Sequence, residues 1–156
     1  MISLKIEYFD TNQASLELIK PLWERLRDHH ISLSTHFSEQ IARNTFEIRS
    51  KDLQEKSIQG QVKIILAQES ETQSLIGYCI SSIDREGQGE IDSIYILDDF
   101  RGKGVGNILM ERTLNWIENQ GIKNICISVL FGNEQAIKFY EKYGFYPRTY
   151  LLKNRN

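Results

Sequence analysis

Cysteine and proline are scarce in this chain, with two of each in 156 residues. Cys79 and Cys126 each sit in an apolar run, without the spacing of a metal-ligand pair. Such usage excludes a disulfide-stapled secreted framework and fits buried, reduced thiols in a cytoplasmic protein. No apolar run approaches the roughly 18–20 residues of a membrane span. The opening MISLKIEYFD lacks a basic stretch followed by an apolar core, so it does not read as a secretory signal. Neither sign of charge predominates. The formal net charge of −2 gives no reason to expect nucleic-acid or membrane-surface binding. Repeats, low-complexity tracts and linkers are also missing. With 40% hydrophobic and 26% charged residues, residues 1–156 are expected to form one well-packed domain.

Hydrophobic periodicity orders that domain. ISLKIEYF alternates as a first strand, and Leu16, Ile19, Leu22, Trp23 and Leu26 then recur at helical spacing despite Pro21. A second helix is expected over Ser38–Ile48, with Ser38 as its cap. QVKIILAQE, SLIGYCISSI and EIDSIYIL read as strands, separated by the turn sequences SETQ and REGQGE. A helix follows with Ile108, Leu109, Met110, Leu114 and Ile117 on its stripe and a stop near Gly121. KNICISVL reads as a strand, NEQAIKFYEKY as a helix ended by Gly144, and FYPRTYLLK as a closing strand. The order β-α-α-β-β-β-α-β-α-β predicts a mixed α/β domain with helices on both faces. The β-α-β unit at 90–130 must pair in parallel through a right-handed crossover.

Glycine is concentrated in one place, DDFRGKGVGN, residues 98–107. The nucleotide P-loop fails there, because Leu97 stands where its first glycine belongs. The dinucleotide fingerprint also fails, since its last glycine would fall on Asn107 or Leu109. What remains is three alternating glycines, flanked by Arg101 and Lys103, at the start of a helix. Unpaired helix N–H groups and the positive end of the helix dipole favour an anion there. Glycine lets backbone approach the anion's oxygens closely.

Arg101-Gly102-Lys103-Gly104-Val105-Gly106 resembles the R/Q-x-x-G-x-G/A motif of the GNAT-type N-acetyltransferases, which use acetyl-coenzyme A. NEQAIKFYEKYGF resembles that family's second signature, with Asn133, Ala136, Tyr140, Gly144 and Phe145 in register. The element order fits as well, while Asp98 stands where the family often has proline and 11–58 matches only in helical character. The resemblance implies a GNAT-like mixed sheet and a cofactor pose. Backbone N–H groups of Gly102, Lys103, Gly104, Val105, Gly106 and Asn107, beside Arg101, would hold the pyrophosphate. Backbone groups of Ile94, Tyr95 and Ile96 would pair with the pantetheine arm, and Asn133 would contact it from the opposite side. No metal is implied.

Acetyl transfer from a thioester to an amine passes through a tetrahedral oxyanion. It needs a base for the amine, a donor for the oxyanion and a proton for the thiolate. The resemblance makes Tyr140 the general acid and leaves Tyr143 off the family position. An N–H near Ile96 would be the oxyanion donor. By strand alternation, Glu90, Asp92, Ile94 and Ile96 share one face, so two carboxylates are candidates for the base. Glu90, six residues before Ile96, matches the glutamate of the histone-acetyltransferase branch, whereas Ser128 stands where the ribosomal-protein branch has its own. Solvated acids at a strand end fit Glu90 and Asp92 equally well. His29, His30 and His36 lie in the segment that would wall the acceptor site.

From Asp84 to Asp99 there are six acids against one base, Arg85, which would draw a cationic amine. The expected acceptor is a primary amine, either a small cationic molecule or a peptide lysine or N-terminus. The alternative is an acyl-coenzyme A-binding sensor without turnover. Dimers are frequent in families of this resemblance, so a homodimer is compatible with it.

Overall fold

The computed structural model describes residues 5–155. The first strand, β1, is Ile6–Thr11; residues 2–4 of the expected strand lie outside the described residues. A short 3-10 segment, Gln13–Ile19, leads into α1, Lys20–Leu33. Pro21 falls in the first turn of α1, where a missing N–H breaks no helical hydrogen bond. The helix expected over Ser38–Ile48 is in fact two. The first, α2, is Ser38–Arg43, and Ser38 lies within it, its hydroxyl donating to the carbonyls of Ile31 and Ser34. Thr45 then accepts from the Ile48 N–H and starts α3, Phe46–Gln59.

The strands β2 (Gln61–Glu69), β3 (Leu75–Ile83) and β4 (Gln88–Ile96) follow as antiparallel hairpins. Asp84 accepts from the N–H groups of Glu86 and Gln88 to close the second turn, where Gly87 has φ +83°. Helix α4, Val105–Asn119, crosses over to β5, Asn124–Ile127, and α5 is Gln135–Glu141. The five strands lie in chain order, and β4 and β5 are the parallel pair.

Helices cover both faces, so β3 is buried along nearly its whole length. On one face Leu22, Trp23, Phe46 and Leu53 from the N-terminal helices pack on Ile64, Tyr78, Ile80 and Tyr95, with Trp23 and Phe46 edge to face at 5.6 Å. On the other, Val105, Leu109, Met110 and Ile117 of α4 pack on Ile65, Ala67, Cys79 and Ile91. Cys79 is therefore buried, but Cys126 is exposed, against the expectation that both thiols are interior.

Two features differ from the strand pattern of the sequence. Residues 146–155 form no strand. They carry Pro147, which lacks a ladder donor, leave Tyr146, Tyr150, Leu151 and Leu152 exposed, and end with the Arg155 carbonyl accepting from Gln40 of α2. In addition, Ile80 faces Ser93 while Ser81 faces Ile91, so Asp92 is an extra residue in β4. That bulge breaks the alternation. Glu90 and Asp92 turn toward α3, whereas Ile94 and Ile96 pack on the α4 side, so the four do not share a face.

Gly60 joins α3 to β2 with so little room that a Cβ there would stand 2.0 Å from the Ile83 carbonyl oxygen. Gly60→Ala should cost about 1–3 kcal/mol, read as a lower urea midpoint at unchanged m-value. An unaltered midpoint would refute the close approach.

Candidate active site

The glycine loop is open where an anion would sit. Gly102 (φ +74°) and Gly104 (φ +83°) need the left-handed conformation, and a Cβ built on either meets nothing within 4 Å. Gly104 is the N-cap of α4 and supplies no side-chain acceptor, which leaves the first N–H groups of that helix for a ligand. Gly106 has a different duty from the one expected. A Cβ there would lie 3.0 Å from Ile96 Cδ1 and 3.3 Å from the Phe139 ring, so this glycine lets α4, the end of β4 and α5 meet. Arg101 is turned to the strand: its Nε donates to the Ile96 carbonyl at 2.9 Å, Nη1 pairs with Asp98 at 2.7 Å, and the guanidinium stacks on Tyr95. Lys103 lies over the Phe100 ring. A cleft of about 340 Å³ adjoins the loop, lined by Arg25, Asp28, His29, Tyr95, Asp98 and Arg101. His30 is half-buried beside His29, and burial, then the His29 charge, lowers its pKa. His36 is exposed.

From that loop, β4 runs back with one edge free. Its pairing with β5 covers only Gln88–Ile91, whereas β3 accompanies it to Ile96. Ile94, Tyr95 and Ile96 thus border a gap on the β5 side. Beside the end of β4 and the start of α4 lies α5, packed there through Phe139, and in the turn that follows it the Tyr143 hydroxyl donates to Asn107 Oδ1. Tyr140 is packed on the α4 face, and burial, then the nearby Cys79, raises its pKa to about 12, so it is a neutral O–H donor at ordinary pH. Asn133 sits in the turn before α5, its N–H donating to the Leu130 carbonyl.

The two carboxylates of β4 are not alone. Lys56 of α3 inserts its ammonium between them, 3.2 Å from Glu90 Oε1 and in direct contact with Asp92 Oδ1. Arg49 of α3 stands 3.8 Å from Asp92 Oδ1 and donates to the Asp92 carbonyl at 3.3 Å. Burial works against the charge on Lys56, but the hydrogen bond and charge of Asp92, then Glu90, leave its pKa raised. The Asp92 side chain is 0% exposed and its Oδ2 has no partner, while Glu90 is 32% exposed. Asp92 is therefore out of reach of a ligand, and Glu90 is within it.

The model of the acetyltransferase (GNAT) family matches residues 23–145. The chain belongs to that family. Among curated relatives, an N-acetyltransferase of Methanocaldococcus jannaschii is 33% identical over 66 residues, which are 42% of this chain and 29% of the relative. N-alpha-acetyltransferase 30 of Schizosaccharomyces pombe is 34% identical over 65 residues, 40% of this chain and 43% of the relative. The matched segments thus span less than half of these relatives' length. The GNAT fold is also seen across the chain in solved structures. Aminoglycoside N-acetyltransferase AAC(6')-Iy in complex with CoA superimposes with TM-score 0.70 at 18% identity, over 99% of this chain and 97% of its own. Ribosomal-protein-alanine N-acetyltransferase from Brucella melitensis gives 0.65 at 16%, over 96% and 99%.

Within this GNAT domain the glycine loop, Ile94–Ile96 and α5 converge on one end of the β4–β5 gap. Measured back along β4 from Ile94–Ile96 at ~3.3 Å per residue, Glu90 lies about 13–20 Å away and Asp92 about 7–13 Å, both on the opposite face from Tyr140. Lys56, Arg49 and the Tyr143–Asn107 contact were invisible in the sequence, being separated from their partners by 34 residues or more.

Tyr140 also links pH to stability. The unfolded chain sheds this proton near pH 10 and the folded chain near 12, so the folded state binds more protons in between and stability falls as pH rises through that window. Tyr140→Phe should lessen the fall, checked by urea unfolding at pH 9, 10 and 11. Parallel pH dependences in both proteins would refute it.

Proposed function

We propose that the chain transfers the acetyl group of acetyl-coenzyme A to a primary amine. The observation that carries this reading is the free edge of β4 running into an uncapped helix start at Gly104, within a GNAT domain. N–H groups from Gly102 to Asn107 hold the pyrophosphate through the helix dipole and backbone hydrogen bonds. Backbone groups of Ile94, Tyr95 and Ile96 pair with the extended pantetheine arm as a strand would. Asn133 lines the far side. Acetyl-coenzyme A supplies an activated acyl carbon.

The residues then move two protons. Glu90, the solvent-exposed carboxylate of β4, takes one from the acceptor amine through water, so that the nitrogen lone pair can form the new C–N bond. An N–H near Ile96 faces the carbonyl oxygen as it gains charge. As the C–S bond breaks, Tyr140 donates its hydroxyl proton to the departing sulfur. Desolvation supports that role by keeping the proton on Tyr140 until it is needed. Asp92, buried under Lys56, does not touch the acceptor. A cationic acceptor fits the acidic segment around β4, and the named activities of the solved neighbours, on an aminoglycoside and on ribosomal-protein alanine, are both amine acetylations.

Thiol release from acetyl-coenzyme A, measured across a panel of polyamines, aminoglycosides and peptide amines, tests this function. Tyr140→Phe should lower kcat by about 100-fold or more with little change in cofactor affinity. Tight cofactor binding without turnover on any amine would favour a sensor. Gly104→Asp should weaken coenzyme A binding at least about tenfold by placing a carboxylate at the helix start, while Gly104→Asn, with the same backbone demand and no charge, should weaken it less. Equal affinity in native protein and Gly104→Asp, by calorimetry, would sink the loop assignment.

A further inference from the structure

Lys56 has no assigned part in acetyl transfer, yet among the described residues it is the one side chain ion-paired with both carboxylates of β4. Its ammonium lies 3.2 Å from Glu90 Oε1 and against Asp92 Oδ1. Two of these three groups are constrained. Asp92 is fully buried at the bulge, with Oδ1 held between Lys56 and Arg49 and Oδ2 unpartnered. Lys56 comes from the last turns of α3, whose Leu53 is anchored in the core. Of the two carboxylates, only Glu90 has a side chain exposed to solvent. An ion pair made purely for stability would gain little from burying a second acid whose outer oxygen stays unsatisfied. The same arrangement is well suited to fixing a cation at one place and using it to hold a third, mobile group.

We infer that Lys56 is a positioning residue for acetyl transfer: anchored by Asp92 and Arg49, it holds the Glu90 carboxylate in the orientation that receives the acceptor's proton. This rests on the reading of Glu90 as the base. The neighbours of Glu90 identify Lys56 as the cation that matters. On its own strand the nearest charge is Asp92. Across β3 its partner in register is Ser82, and across β5 it is the exposed Cys126. At the strand's start Asp84 is engaged with its own turn, and Arg85 is turned away, donating to the Gln59 carbonyl. From α3, Arg49 reaches Asp92. Lys56 is thus the cation in contact with Glu90 among the described residues. With Lys56 in place the Glu90 carboxylate is held in one orientation; without it, that carboxylate loses its one cationic contact among the described residues.

The test uses the full chain and the fastest acceptor from the amine panel. Lys56→Gln keeps an amide donor for Asp92 but removes the charge. It should lower both kcat and kcat/KM about tenfold at pH 7, with KM nearly unchanged. Lys56→Arg should restore both. A second measurement needs no turnover. In the unliganded protein, followed by NMR of the lysine side chains, Glu90→Gln should lower the pH at which the Lys56 ammonium titrates, since each partner of an ion pair feels the other's loss. That measurement still decides the matter should Lys56→Gln fail to fold. If Glu90→Gln abolishes the acid limb of the pH–rate profile but Lys56→Gln leaves kcat unchanged, or if Lys56 titrates unchanged in Glu90→Gln, the positioning role is overturned and the base reading stands. If Glu90→Gln leaves the acid limb intact, both fall.

Discussion

A single extra residue in β4 sets the geometry on which the site depends. Had the β3–β4 ladder continued in step, Glu90, Asp92, Ile94 and Ile96 would project to one side and the carboxylates would lie among the apolar contacts of α4. The bulge at Asp92 instead divides the strand into two stretches of opposite sense. Its first half presents acids to α3, where Lys56 and Arg49 answer them. Its second half presents isoleucines to α4 and leaves a backbone edge beside the gap, because β5 stops pairing at Ile127. One strand thereby carries a paired set of acids on one face and a free backbone edge beyond them.

Electrostatics follow the same division. On the cofactor side, positive potential comes from backbone: an uncapped helix start at Gly104, with the nearby cations Arg101 and Lys103 lying flat on Tyr95 and Phe100. Such a field is built into the fold and needs no side chain to reorganise when an anion arrives. On the acceptor side the charges are side chains in balance, two acids against Lys56 and Arg49, with only Glu90 facing outward. The acidic stretch around β4 is thus not bare negative surface. Asp84 serves its turn, Asp92 is buried, and Asp98 is taken by Arg101.

Much of this was legible in the sequence, for a local reason. Strands β2 to β4, the parallel return to β5 and the left-handed Gly144 in the turn after α5 all depend on periodicity or turn chemistry within a few residues. The glycine loop was legible because positive φ leaves a mark on residue type: Gly102 and Gly104 adopt it. What could not be read depends on contacts between distant segments. The bulge has no glycine or proline to announce it. Lys56 looks like any lysine of a polar helix until α3 is laid against β4. Gly106 reads as a third phosphate glycine, and only the neighbouring Ile96 and Phe139 reveal a packing duty. The closing strand failed for the opposite reason: residues 146–155 have an apolar pattern, but in the described fold no strand runs beside them.

The sheet separates two apolar clusters that share no helix. One is built with α1 and α3, the other with α4 and α5. Changes of side chain in the first can leave the start of α4 and its glycine loop, held by the second, in shape. For a lineage under pressure to change, this separation makes innovation modular. The N-terminal helices can drift, be lengthened or be recut, and the glycine loop is inherited intact.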